Sequence, residues 1–326
     1  MNMNHLKSLL VGGLMAASLS FISTGCNENP GDPTDPTVVR PAAPTNAMAV
    51  SLSSNSVGLT WTAPTTTDAV TYKVTYASDG TVVDSGSTTA SGTSVTITNL
   101  QAGKAYTFSV YSVRVSDTVM SSTAAQVTWA PATRYATSTI RMYEKASAQG
   151  SGLILDPAKG GPENISVATA NPNVQLVMFA NDTTNRVIIG SAYGVEEYKN
   201  VNGFDRNVYV SDSIYAVPSL DQWYENQSIA SRIGVNGNVS SYSIPQTVSA
   251  TGNTFMFYVR TGTSGNYHYA RVMVEKDAAG KVLQGTSPNR YVELEISYQL
   301  AADVPYAKIP AGATTPVGVI PAKIAK

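Results

Sequence analysis

From Pro44 to about Leu300 the apolar residues of this chain recur at every second position, in short runs interrupted by Gly, Ser, Asn and Asp. Such alternation belongs to strands with one buried face, and it rules out a fold built on long amphipathic helices. "SVGLTW" places Val57, Leu59 and Trp61 on one face, and "TYKVTYAS" does the same with Tyr72, Val74 and Tyr76. "SVTITNL" offers Val95 and Ile97 ahead of Leu100, and "AYTFSVYSV" offers Tyr106, Phe108 and Val110. Faces of this width suffice for two sheets packed against each other, so an all-β chain is expected.

A second group of strands follows from Thr133 to about Ala301, where Tyr and Asn become more frequent. The candidates are "STIRMYEK", "VQLVMFA", "RVIIGSA", "NVYVSD", "VSSYSI", "TFMFYVR", "YHYARVMVEK" and "RYVELEISYQL". One short helix is predicted, "PSLDQWYENQS", because Ser219 follows Pro218 and precedes Gln222 by three residues in a capping-box arrangement. This grammar predicts a second, larger β-sandwich or jelly-roll over 132–301, after a first sandwich over 44–131. The remaining 302–326 carry four prolines and no sustained period, and are read as an extended tail. Its "VGVI" could add a strand to a sheet edge or act as a partner-binding arm.

The segment before these strands has a different character. A short start carrying Lys7 leads into the apolar run Leu9–Ile22, which is too short to span a bilayer as a helix, and then into "STG" and Cys26. This is the layout of an export signal over 1–25. Its end resembles the lipobox of bacterial lipoproteins, with Ser23 at the position the family gives to an aliphatic residue and Ile22 one place early. The resemblance implies that Cys26 carries diacylglycerol and begins the mature chain, anchored in a cell envelope, with Asn27 favouring the outer membrane. The alternative is an ordinary export signal with a chance cysteine near its cleavage site. Because Cys26 is the only cysteine, a lipidated chain has no disulfide, thiolate nucleophile or cysteine metal site, and its domains depend on core burial. The following "NENPGDPTDPTVVRPAAP", with five prolines, reads as a semi-rigid tether over 26–43.

The first sandwich resembles a fibronectin type III domain. "PTN" at Pro44–Asn46, Trp61 on the second strand, the Tyr-x-Val-x-Tyr strand and "NLQAGKAYTFSV" carry the likeness. In that family a tyrosine corner follows a leucine and a short turn, and Leu100, Gly103 and Tyr106 match those positions. The resemblance implies a spacer, stalk or adhesive module. No Arg-Gly-Asp tripeptide occurs, and "RVSD", Arg114–Asp117, reads as a solvated loop. The last strands of the second sandwich, from "TFMFYVRTGTSGNYHYARV" onward, resemble the C-terminal strands of HmuY-type haem-binding lipoproteins. Haem capture there uses two histidines, whereas the chain after Cys26 has only His268. His268 is therefore read as a surface or cross-strand residue, and no cofactor or metal is expected.

A net charge of −1 with 13% charged residues leaves no basic footprint, so nucleic acid is not an expected partner. No HExxH pair or phosphate-cradling loop is present, and histidine-dependent catalysis would have a single candidate base. A glycosidase needs only two carboxylates, and Glu196, Glu197, Asp205, Asp221 and Glu225 all fall in the second sandwich; they are read as surface acids, and the chain as a non-enzyme. Binding has better candidates. Trp223 and Tyr224, beside Asp221, Glu225 and Asn226, could stack on a sugar ring or anchor a protein, unless Trp223 plugs the end of the sandwich. Tyr267 and Tyr269 form a second aromatic strip if they point outward, and cross-strand packing if they do not. Three readings stay open: a glycan- or protein-binding adhesion module, an envelope component that assembles with copies or partners through sheet edges and the C-terminal arm, and, behind both, a carbohydrate-active enzyme.

Overall fold

The first sandwich has its strands in two antiparallel sheets. One runs β1-β2-β5, from β1 (Thr45–Ser53), β2 (Ser56–Thr62) and β5 (Ser94–Ile97); the other runs β4-β3-β6-β7, from β3 (Val70–Ser78), β4 (Thr81–Ala90), β6 (Tyr106–Arg114) and β7 (Ala125–Trp129). The computed structural model describes residues 38–78, 81–135, 140–167, 171–198, 200–201, 203–205, 207–211, 214–220, 239–303 and 320–323, with backbone alone at 81–85, 239 and 320–323. Val57, Leu59, Trp61, Tyr72, Val74, Ile97, Tyr106, Phe108 and Val110 all enter one buried cluster, as their alternation requires. Trp61 meets Tyr72 edge-on, with ring centroids 5.1 Å apart. The Tyr106 hydroxyl accepts a hydrogen bond from Gln101 N–H at 3.0 Å and ties the turn after Leu100 to β6, the tyrosine corner of this fold. Gly86 stands directly opposite Tyr76, and a Cβ there would lie 2.3 Å from the tyrosine oxygen, so the ring occupies the space a side chain would take. Arg114 grips Asp117 at 2.8 Å, which makes "RVSD" a pinned surface turn.

The second sandwich sets a six-stranded sheet against a seven-stranded one. The six-stranded order is β11-β10-β12-β13-β16-β20, from β10 (Gly152–Ile154), β11 (Glu163–Ile165), β12 (Leu176–Asn181), β13 (Arg186–Ser191), β16 (Val239–Pro245) and β20 (Ile320–Lys323). The seven-stranded sheet runs β14-β17-β18-β19-β8, from β14 (Val208–Val210), β17 (Thr254–Thr263), β18 (Asn266–Val274), β19 (Tyr291–Tyr298) and β8 (Thr133–Tyr135). Two further short strands join it: β15 (Tyr215–Val217) on β17 and β9 (Arg141–Tyr143) on β19. Leu176, Met178, Val187, Ile189, Tyr242 and Ile244 meet Phe255, Phe257, Val259, Val272, Leu294 and Ile296 in the core between them.

Both sheets also bury apolar residues on their outer faces. Val177, Phe179 and Ile188 pack outward with Val174, Val195, Tyr198 and Phe204. The Tyr198 hydroxyl donates to Met178 O at 2.8 Å and lies 2.9 Å from Ser151 Oγ, and burial pushes its pKa up to about 12. Met256, Tyr258, Tyr269 and Met273 do the same on the seven-stranded sheet with Tyr215, Val217 and Leu220. Burial on both faces explains why "TFMFYV" is continuously apolar instead of alternating.

Between β7 and β8 lie only Ala130, Pro131 and Ala132, all buried. Trp129 Nε1 donates to Ser51 Oγ at 2.7 Å, and Ser51 Oγ donates to Ala130 O at 3.0 Å. Arg134 donates to Ser51 O at 3.1 Å and pairs with Glu295, so one guanidinium holds both sandwiches. Gly103, at φ +72°, sits so close to Ala301 that a Cβ would come within 2.6 Å of the alanine's. The first sandwich is thereby clamped to the second.

Tyr106→Phe removes a buried hydroxyl and leaves the Gln101 N–H without this acceptor. It should cost about 1–2 kcal/mol, read as a lower denaturant midpoint at unchanged slope.

Candidate binding surface

The outward face of the seven-stranded sheet is where aromatic and charged side chains collect. Alternation along β18 sends Tyr267, Tyr269, Arg271 and Met273 outward and Ala270 and Val272 into the core; on β19 it sends Tyr291, Glu293 and Glu295 outward and Val292 and Leu294 inward. Register then aligns Tyr209 of β14, Arg260 of β17 and Tyr269 of β18 across the sheet. The Arg260 guanidinium carbon lies 4.8 Å from the Tyr209 ring centroid and 4.2 Å from that of Tyr267. All three side chains are half-buried.

Two backbone devices put Tyr267 there. Its cross-strand partner is Gly262, at φ +87°, whose missing side chain leaves the ring free to lean diagonally over Arg260; a Cβ at 262 would also collide with Asn266 O at 2.2 Å. Asp303 holds the Tyr267 backbone from the other side, donating its N–H to Tyr267 O at 2.6 Å and accepting from Tyr267 N–H at 3.2 Å. A planar cation held between two rings combines the side chains that most often dominate binding energy at protein surfaces.

The four proposed contact residues have different fates. Tyr267 stands at the rim, stacked on Arg260. Tyr269 is 8% exposed and packs with Met256, Tyr258 and Met273, where burial raises its hydroxyl pKa; it supports the rim instead of forming it. Trp223 and Tyr224 lie outside the described residues, as do Cys26, Asp221, Glu225 and Asn226. His268 points to the opposite face, stacked on Tyr298 at 5.9 Å with Nδ1 3.2 Å from Gln299 O, a cross-strand histidine.

Of the acids read as surface groups, Glu196 is exposed and Glu197 half-buried on one 3-10 turn. Asp205 departs from the expectation: it is buried and bound to Lys159 Nζ at 2.6 Å, because its loop folds back over the six-stranded sheet beside Phe204.

Sequence reasoning overlooked Tyr209 and Arg260, and also a second cluster on the same face, where Arg141 covers the Tyr291 ring at 4.4 Å and Tyr143 meets Tyr291 at 5.5 Å. Outward parity with Tyr267 was the available signal for Arg260. Between the clusters, Glu275 donates its N–H to Glu293 O, and Glu295 follows two residues along the same strand. Burial, then the charges of Glu295 and Glu293, push Glu275 up to about 7. Lys276 offsets this least, its ammonium being turned to the carbonyls of Ser249 and Ala250 at 2.5 and 2.9 Å.

These sheets and this outward aromatic face define an all-β chain of two sandwiches, and the first has a family. The fibronectin type III domain family matches residues 42–122. Among solved structures, the chain is similar to domains d3–d4 of the rat CD45 extracellular region, at 19% identity over 28% of this chain and 50% of that one, with a TM-score of 0.25; it thus spans half of that fragment. It is also similar to the fn3 domain of human collagen alpha-1(XX), at 23% identity over 33% of this chain and 100% of that domain, with a TM-score of 0.26. No curated protein matches the chain.

A carboxyl held protonated in the fold favours the folded state most at low pH. As pH rises from about 4.5 to about 7, the unfolded chain ionises Glu275 first and stability falls. Glu275→Gln should flatten that part of the profile and stabilise the protein at pH 8 by roughly 1–3 kcal/mol, measured by denaturant melts of both proteins across this range.

Proposed function

We propose that the chain is an exported surface protein, lipid-anchored at Cys26 in the outer membrane of a Gram-negative bacterium, that acts as a non-enzymatic binding or adhesion module. The fibronectin type III domain is the spacer, and the second sandwich presents the surface that takes a glycan or a protein. The observation that carries this reading is the Tyr209–Arg260–Tyr267 stack at the rim of the seven-stranded sheet. Tyrosine rings offer flat faces for stacking on sugar rings, and a guanidinium positioned by aromatic packing donates hydrogen bonds with little further loss of freedom. A fibronectin type III domain fits a binding or spacer role, and Asp205, one of the candidate acids, is buried and paired with Lys159.

A glycan array probed with the wild type and with Tyr267→Ala should show ligands for the first and at least tenfold weaker signal for the second, a rim aromatic being worth about 1.5 kcal/mol or more. Absence of any glycan or protein ligand for the wild type would sink the reading. For the anchor, Cys26→Ser should move the protein from the detergent phase to the aqueous phase on phase partitioning; retention in detergent would count against lipidation.

A second reading, an envelope component that assembles with copies of itself, is favoured by one observation, the edge of β4, along which no strand pairs among the described residues.

A further inference from the structure

Among the described residues most sheet edges are short, broken or covered, and the second half of β4 stands apart from them. In the seven-stranded sheet both edges are interrupted: β14 and β15 share one side of β17, and β8 and β9 share one side of β19, each only three residues long. The six-stranded sheet ends on β11, of three residues, and β20, of four. In the first sandwich β5 has four residues, while β1 carries two register shifts and is bonded through Ser51 to Trp129 and Ala130, which closes it against β7. These are the usual devices that keep a β protein from pairing edge to edge.

β4 has a register shift and a charge, Asp84, only in its first half; its second half has neither. It is ten residues long, and among the described residues no strand pairs with its outer side. Ser85–Ala90 pair with Tyr72–Ala77 without a break, which makes a regular backbone ladder available for one more strand. "TVVDSGSTTA" holds no proline, lysine or arginine, and its single charge is Asp84. Ser87 and Thr89 are exposed, while Gly86, Thr88 and Ala90 are half-buried toward the core.

We propose that this edge pairs with the same edge of a second copy, β4 to β4, antiparallel about a two-fold axis perpendicular to the sheet. An axis through Thr88 opposes Thr88 to Thr88, Ser87 to Thr89 and Gly86 to Ala90, and keeps outward residues facing outward residues. Every opposed pair in Gly86–Ala90 is then small or hydroxyl-bearing, and Asp84, whose symmetry mate would fall past the end of β4 at Ala90, does not meet its own copy. Thr and Ser are favourable cross-strand neighbours, whereas like charges are not. The stretch Ser85–Ala90 offers no charge with which to select a foreign sequence, but it complements itself at each position. Such an isologous contact closes as a dimer, with the two rows of strands continuous across it. The inference belongs to the assembly reading, so glycan binding stands or falls separately.

Sedimentation velocity of the full chain in mild detergent, from low to high micromolar concentration, should show a reversible monomer–dimer equilibrium. The double variant S87K/T89K alters two exposed side chains, leaves the melting temperature unchanged and sets lysine opposite lysine twice, weakening dimerisation by about tenfold or more. Mixing it with S87E/T89E should restore a dimer containing one copy of each. A wild type that stays monomeric throughout, a dimer indifferent to S87K/T89K, or failure of the opposite-charge pair to recombine would each overturn the proposal. Glycan-array binding by S87K/T89K equal to that of the wild type separates this contact from the Tyr209–Arg260–Tyr267 rim.

Discussion

Burial on both faces of the β17–β18 hairpin is the constraint on which the second sandwich depends. Phe255, Phe257 and Val259 fill the space between the sheets, while Met256 and Tyr258, the residues between them, are equally buried on the other side. A fully buried side chain of this size contributes about 1.5–3 kcal/mol, and the chain has a single cysteine and so no internal disulfide to supplement it. The hairpin pairs with β14 and β15 on one side and β19 on the other, so both core clusters and the rim at Tyr267 hang from the same ten-residue strand.

That two-sided burial also decides what could be read from the sequence. In the first sandwich one face of each strand is wet, so Val57, Leu59 and Trp61, or Tyr106, Phe108 and Val110, announce their own orientation. The tyrosine corner could be anticipated for the same reason, since Leu100 and Tyr106 sit at a spacing the fold requires. In the second sandwich the long strands were legible, but β10, β11 and β15 were not: three residues give no period to detect, and their pairing is decided by partners distant in the chain. Asp205 was misjudged for a related reason, because its burial comes from a loop folding back over a sheet and not from any local pattern.

The candidate site was less legible than the fold. Tyr267 could be placed on an outward strip by alternation alone, yet what sets it apart is its diagonal contact with Arg260, which register aligns with Tyr209 on one side and Tyr269 on the other. Register is set by the whole sheet, and a glycine opposite Tyr267 matters only once that register is known. The same face holds Glu275 and Glu293 side by side because their strands are neighbours, an arrangement that no spacing along the chain would disclose.

The joint between the sandwiches has a mechanical meaning. Three buried residues, a guanidinium shared between Ser51 and Glu295, and the close approach of Gly103 to Ala301 leave little room for bending. The two sandwiches are therefore joined without a free linker, and a load placed on the seven-stranded sheet would reach the first sandwich through β8, Arg134 and the Ser51 end of β1.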